Sequence, residues 1–133
     1  MKIYIAARFS KRHDAHNLGV ALRVLGHTIV SRWSLPDSDH VKPVGLSEQA
    51  ADKERERFAT EDLEDIEACD WCVSLMETPR NDSRGGRHVE FGYAMALKKK
   101  LIIIGPKETV FHNLPQVKHY KTVPEFLEWA VDE

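Results

Sequence analysis

The sequence predicts a doubly wound α/β domain, with five parallel strands in one open sheet, order 2-1-3-4-5, and helices on both faces. Three observations predict it. Short apolar runs alternate with segments of helical period along the chain. The first third reads strand, helix, strand, and a unit of that length joins parallel strands through a right-handed crossover. The runs at 70–76 and 101–104 are apolar enough to lie centrally in the sheet.

Each element follows from local chemistry. Residues 2–7 (KIYIAA) form the first strand, and 8–14 are polar. From Ala15 onward, Leu18, Ala21, Leu22 and Leu25 recur at helical spacing, with Gly26 at the C-cap. Residues 27–31 (HTIVS) read as the second strand. The stretch 32–45 holds two prolines and no periodicity, so it reads as a long loop, and such loops are often functional. Ser47 starts a helix. Between Glu48 and Glu67 stand nine acidic and three basic residues, most of which predict a solvated face. Phe58, Leu63 and Ile66 supply its buried side, with a break near Thr60. The third strand (70–76) leads into a loop over 77–84. Gly85-Gly86 then open a helix reaching residue 99. The fourth strand (101–104) ends at Gly105-Pro106, residues 119–123 form a short edge strand, and Pro124 starts the closing helix.

The chain has 133 residues, which predicts one domain over 1–133. Hydrophobic residues are 42% and charged ones 30%, an ordinary globular balance that needs neither disulfides nor a structural metal. Nineteen basic against 21 acidic residues give a net charge of −2, so nothing drives binding to a nucleic-acid polymer. No segment approaches the roughly 20 apolar residues of a membrane span. The apolar stretch 3–7 is too short for a secretory signal, and the expected location is cytoplasmic.

In this topology ligands bind beyond the carboxyl ends of the strands, where the order reverses. The reversal falls between strands 1 and 3. The site is then expected from Arg8, Phe9 and Ser10, from the loop 77–86, and from the loop 105–113. The segment DSRGGRHVEFGYA (82–94) is the most informative. Ser83, Gly85 and Gly86 precede a helix start, where backbone N–H groups favour anions, and Arg84 and Arg87 add positive charge. Glu90 borders the apolar stripe Val89, Tyr93, Ala96 and Leu97. A carboxylate there is placed to attack an electrophilic carbon such as a sugar C1′. Spacing alone leaves the alternative open, an i,i+3 partner for Arg87. By position Asp70 is a turn residue and Tyr4 a core tyrosine.

Two sharper motifs fail. Cys69-Asp-Trp-Cys72 has redox spacing but runs from a helix end into a strand, which predicts inert thiols. His88-Val-Glu90 has the H-x-E of zinc deaminases, but the cysteine pair such sites need comes before it and on the wrong element. No metal is expected.

The segments KIYIAARFS, GHTIVSRW, DLEDIEACDWCVSL, GGRHVEFGYAMALKKKLIIIG and PKETVFHNLP together resemble the nucleoside 2-deoxyribosyltransferase superfamily. Its 2′-deoxynucleoside 5′-phosphate N-hydrolase branch fits best, and the resemblance implies a flavodoxin-like sheet. It also places the nucleophile at Glu90, a tyrosine holding glutamate and sugar at Tyr4, and an aspartate linked to base protonation at Asp70. Ser83, Gly85 and Gly86 match the 5′-phosphate contacts, with Arg8 and Ser10 as further candidates. The transferase branch carries a second acid around Ser83–Arg84. Here the nearest acid is Asp82, in a basic loop, which favours a phosphorylated substrate. Arg87 and His88 are not general to the family. Members are oligomers that lend residues to a neighbour's site, so a homodimer or larger homo-oligomer is expected, with Phe111, His112 and Asn113 as the loan. The implied function is an N-glycosidase acting on a (deoxy)nucleoside 5′-monophosphate without cofactor. A base-exchanging transferase and a non-catalytic nucleotide-binding module of the Toll/interleukin-receptor type are the alternatives.

Overall fold

The computed structural model describes residues 1–41, 43–77 and 85–133. Its sheet holds β1 (Lys2–Ala6), β2 (Thr28–Ile29), β3 (Trp71–Leu75), β4 (Lys100–Ile104) and β5 (Val117–Tyr120). All pairings are parallel, in the order β2-β1-β3-β4-β5, as the sequence predicts. Helices α1 (Arg12–Val24) and α4 (Val123–Ala130) pack together on one face, and α2 (Glu48–Ala68) and α3 (Gly86–Ala96) on the other. Ile3, Tyr4, Ile5 and Ala6 of β1 are fully buried, as are Cys72 and Val73 of β3 and Ile102 and Ile103 of β4. Each large aliphatic side chain so placed contributes roughly 1.5–3 kcal/mol. No helix among the described residues is long and apolar enough to cross a membrane.

Several boundaries differ from the expectation for local reasons. The second strand was expected over five residues and has two, because side chains take over the ladder beyond Ile29. Ser31 Oγ accepts the Ile5 N–H at 3.1 Å, and Trp33 Nε1 donates to the Ile5 carbonyl at 2.7 Å. Ser31 closes the expected strand and Trp33 comes from the start of the expected loop, where Arg32–Ser34 form a 3-10 turn.

Helix α2 starts where Ser47 Oγ accepts the Ala50 N–H at 3.2 Å. It does not break at Thr60, whose hydroxyl donates to the Glu56 carbonyl inside the helix at 2.8 Å. Leu63 faces outward, 37% exposed, while Ala51, Asp65 and Ile66 face inward. Part of the acidic run therefore points into the protein.

Helix α3 is rotated from the expected stripe. Val89 is 68% exposed, and the buried residues are Arg87, Phe91 and Ala94. With Glu90 these follow the i, i+3, i+4, i+7 rule, so Glu90 lies within the inner stripe and not on its border. The helix ends at Ala96, where Lys98 turns left-handed (φ 59°) and the Lys99 N–H returns to the Ala94 carbonyl.

At the carboxyl edge of the sheet, Gly105 has φ +105°, and a Cβ there would lie 2.6 Å from the Met76 carbonyl oxygen. Only glycine fits that crossing. The last strand ends before Thr122, whose side chain caps α4 by accepting the Glu125 N–H at 3.3 Å, with Pro124 in the first turn.

Candidate active site

Tyr4 and Cys72 are register partners on β1 and β3. The Tyr4 hydroxyl donates to Glu90 Oε2 at 2.5 Å. Glu90 is therefore the partner of Tyr4 and not the i,i+3 partner of Arg87. Arg87, only 5% exposed, pairs instead with Glu108 of the loop after β4 at 2.5 Å. Glu90 is largely buried, and burial pushes its carboxyl up to about 8; the charge of Asp62 adds to this and the Tyr4 bond opposes it. The Tyr4 phenol is raised well above its ordinary value, mainly by burial and then by Glu90.

Asp62, on α2, is the acid the site feels: its charge acts on both Tyr4 and Glu90. Burial raises its own carboxyl to about 6, His40 opposes that rise, and Asp65 and Glu61 reinforce it. Two carboxyls in one site are thus pushed to different values, which is how one site sustains acid and base roles together. Sequence reasoning missed Asp62 because it lies within a run of nine acids. The available signal was its spacing from Asp65 and Ile66, the inward line of α2. Asp65 accepts from Arg32 N and Nε, both at 2.9 Å, which ties α2 to the end of β2.

Asp70 was expected in this group, and the structure does not bring it there. It is exposed at the edge where the strands begin, and its carboxylate accepts the Lys2 N–H at 2.8 Å. The cause is topological, since a residue opening β3 lies at the end opposite the ligand-binding loops.

Residues 3–125 match the model of the nucleoside 2-deoxyribosyltransferase family. The chain belongs to that family. No curated protein matches it by sequence. Among solved structures it is similar to the CMP N-glycosidase BcmB of Clostridium botulinum. That likeness has a TM-score of 0.62 and 19% identity, and covers 97% of each chain. It is also similar to a 2-deoxyribosyltransferase of Bacillus psychrosaccharolyticus, with a TM-score of 0.71 and 20% identity over 96% of this chain and 90% of that one. Membership makes this chain an enzyme that cleaves or transfers a glycosyl bond.

The remaining expected residues of this deoxyribosyltransferase-family chain divide by position. Arg8 forms an ion pair with Glu77, and Lys11 joins the same carboxylate at 3.3 Å, so the loops after β1 and β3 are bound together. Phe9 lies under the Arg12 guanidinium at 4.8 Å, and Ser10 is exposed. Gly85 takes φ +82° as the N-cap of α3, and Gly86 is the first helical residue. Ser83 and Arg84 lie outside the described residues.

His112 was expected to serve a neighbour, and it is instead buried in its own chain, 1% exposed. Its Nδ1 accepts the Glu108 and Thr109 N–H groups, and its ring packs edge-on to Phe91. The adjacent Phe111 is 59% exposed, and Asn113 accepts from Lys107 Nζ at 3.1 Å. The Cys69 thiol is pushed up to about 11 and Cys72 well above its ordinary value, both by burial first, so neither is a reactive thiolate.

Asp39, His40 and Glu61 stand close enough to meet a metal ion. Arg57 already bridges their two carboxylates at 3.0 Å each, so a guanidinium matches that charge and no metal centre is assigned. A groove of about 410 Å³ opens between α1 and α4, lined in part by Leu18, Leu75, Glu77 and Lys121. It lies on the other face of the sheet from Glu90.

Proposed function

We propose that this chain is an N-glycosidase that cleaves the base–sugar bond of a (deoxy)nucleoside 5′-monophosphate. The observation that carries this reading is a largely buried carboxyl, Glu90, held by the Tyr4 hydroxyl at 2.5 Å and acted on by the charge of a second perturbed carboxyl, Asp62. With Oε2 held by Tyr4, Glu90 Oε1 attacks C1′ through an oxocarbenium-like state. The C1′–N bond breaks, its electron pair leaves with the base, and Asp62 supplies the proton that makes the base a neutral leaving group. Water then cleaves the glycosyl ester: its oxygen bonds C1′ as the Glu90 carboxylate leaves, and its proton returns to the Asp62 carboxylate, releasing the sugar 5-phosphate.

The two carboxyls must act in opposite states, Glu90 charged and Asp62 protonated. With values of about 8 and about 6 in the empty site, that form is on the order of 1% at neutral pH, and turnover follows a bell with limbs near those values. The 5′-phosphate preference is supported by the Gly85-Gly86 start of helix α3, preceded in sequence by Ser83 and Arg84. It also accords with the similar BcmB, whose substrate is a monophosphate.

The test is a panel of nucleosides and their 5′-monophosphates, ribo and deoxyribo, incubated with and without an added free base and read by chromatography. Free base released from a monophosphate without acceptor is the expected result. Better turnover of the unphosphorylated nucleoside overturns the phosphate preference. Product formed only with an acceptor assigns base exchange, the activity in the family's name. Binding without product assigns a nucleotide-binding module.

A further inference from the structure

The long loop before α2 delivers one side chain to this site that the mechanism has not used. His40 is buried, 6% exposed, with its ring against Phe58 at 4.5 Å between centroids. Its Nε2 lies 3.0 Å from Glu61 Oε1, and its Nδ1 lies 3.6 Å from Asp62 Oδ1. That Asp62 oxygen is buried and has no hydrogen-bond partner among the described residues. The histidine therefore spans two consecutive acids of α2, and one of them is the carboxyl whose charge acts on Glu90.

We propose that His40 is the positioning residue of Asp62: clamped between Glu61 and Asp62, its ring orients the Asp62 carboxyl and shares its proton. The inference rests on Asp62 as the proton donor of the glycosidase reading. The chemistry follows from the two ring nitrogens. Glu61 is held below the usual carboxylate range, first by its bond to His40 and also by Arg57 and Arg32, so it stays anionic and takes the Nε2–H. Nδ1 then meets Asp62 in one of two matched states. A neutral ring accepts the proton of the acid form, and a charged ring donates its Nδ1–H to the carboxylate left after Asp62 has protonated the base. The water that cleaves the glycosyl ester supplies that ring proton, which then passes from Nδ1 to Oδ1 and resets the donor.

Among the described residues, the charged and titratable groups around His40 and Asp62 come from five elements. Asp39 comes from the histidine's own loop, and Arg57, Glu61, Asp62 and Asp65 come from α2. Arg32 comes from the turn after β2, Tyr4 from β1 and Glu90 from α3. Arg57 is held by Asp39, Glu54 and Glu61, and Arg32 by Asp65 and Glu64. His40 is the largest influence opposing the rise that burial imposes on Asp62, and Arg32 opposes it less.

The test uses His40→Phe, which keeps a ring against Phe58, and His40→Asn, which keeps a short donor without a titrating ring. Two readouts are taken. In carbon-13 NMR titrations of the ligand-free protein, the Asp62 carboxyl should titrate higher in His40→Phe by about 0.5 or more. In pH profiles of free-base release, His40→Phe should lower kcat about tenfold with KM within about twofold, and move the acid limb upward. His40→Asn should regain part of kcat. In an Asp62→Asn background, adding His40→Phe should cost nothing more.

An unmoved Asp62 titration in folded His40→Phe overturns the proposal, as does an equal loss of kcat in both backgrounds. If the titration moves but Asp62→Asn turns over normally, Asp62 is not the donor. The reading beneath the proposal then fails, and with it the positioning role.

Discussion

Tyr4 and Glu90 stand 86 residues apart in the chain, and the tyrosine hydroxyl lies 2.5 Å from the glutamate carboxyl. Tyr4 is fully buried, so its hydroxyl needs a partner from the protein. Glu90 supplies it because α3 crosses back over β1 with residues 87, 90, 91 and 94 turned inward. The bond opposes the rise that burial imposes on Glu90 and adds to the rise of Tyr4. It orients one oxygen and favours the charged form of a group that burial would keep neutral.

Glu90→Gln should abolish turnover. The amide keeps the size of the side chain but forms no glycosyl ester, and loss of a covalent nucleophile typically costs on the order of 10⁴-fold or more. The variant should stay folded and still bind nucleotide. The wild type given a 2-fluoro-2-deoxy sugar analogue should carry a covalent adduct at Glu90, seen by mass spectrometry. Near-normal release of free base by folded Glu90→Gln would end the nucleophile assignment.

Tyr4→Phe removes the bond without changing the ring. A hydrogen bond to a charged group is worth about 1.5–3 kcal/mol, so kcat/KM should fall roughly 10- to 100-fold. Because Tyr4 lowers Glu90, the alkaline limb of the pH profile should move above about 8. A profile with an unmoved limb would mean that Tyr4 supports the fold alone.

Stability should fall as pH rises through neutrality. Glu90 is raised from 4.5 to about 8 and Asp62 from 3.8 to about 6. A group raised in the folded state contributes stability that is full below its unfolded value and lost as pH passes its folded value. Relative to wild type, Glu90→Gln should gain Tm steadily between about pH 4.5 and 8, and Asp62→Asn between about 3.8 and 6. Parallel melting curves for wild type and Glu90→Gln across that window would show that Glu90 is not buried as a carboxyl.

Gly105→Ala should destabilise strongly. The new Cβ would meet the Met76 carbonyl oxygen at 2.6 Å while the backbone holds φ +105°. Strain at such a position costs about 1–3 kcal/mol, and the backbone contact adds to it. Chemical denaturation should read a loss of at least about 2 kcal/mol. An unchanged midpoint would show that the loop after β4 moves freely away from Met76.

Most of the fold was legible in the sequence, because period and punctuation are local properties. The apolar runs at 70–76 and 101–104 became β3 and β4, and Ser47 and Pro124 stand at helix starts as expected. The errors fell where a tertiary partner replaced a local one. The second strand ended early because Ser31 and Trp33 satisfy Ile5 with side chains. The rotation of α3 was misjudged because Val89 looked like core, whereas Arg87 is buried through Glu108.

For the proposed site, the sequence by itself pointed to the glycine turn, the glutamate that follows it on a helix, and a tyrosine in the first strand. The folded chain decided which of the many acids joins them. Asp70 and Asp62 are equivalent as residue types. One accepts the Lys2 N–H at the edge where the strands begin, and the other lies 3.6 Å from His40 Nδ1 with its charge acting on Glu90. The physical reason is that desolvation and Coulomb coupling depend on which groups are neighbours in space. Those neighbours come from a loop, a helix and a strand brought together only when α2 and α3 pack on the same face of the sheet.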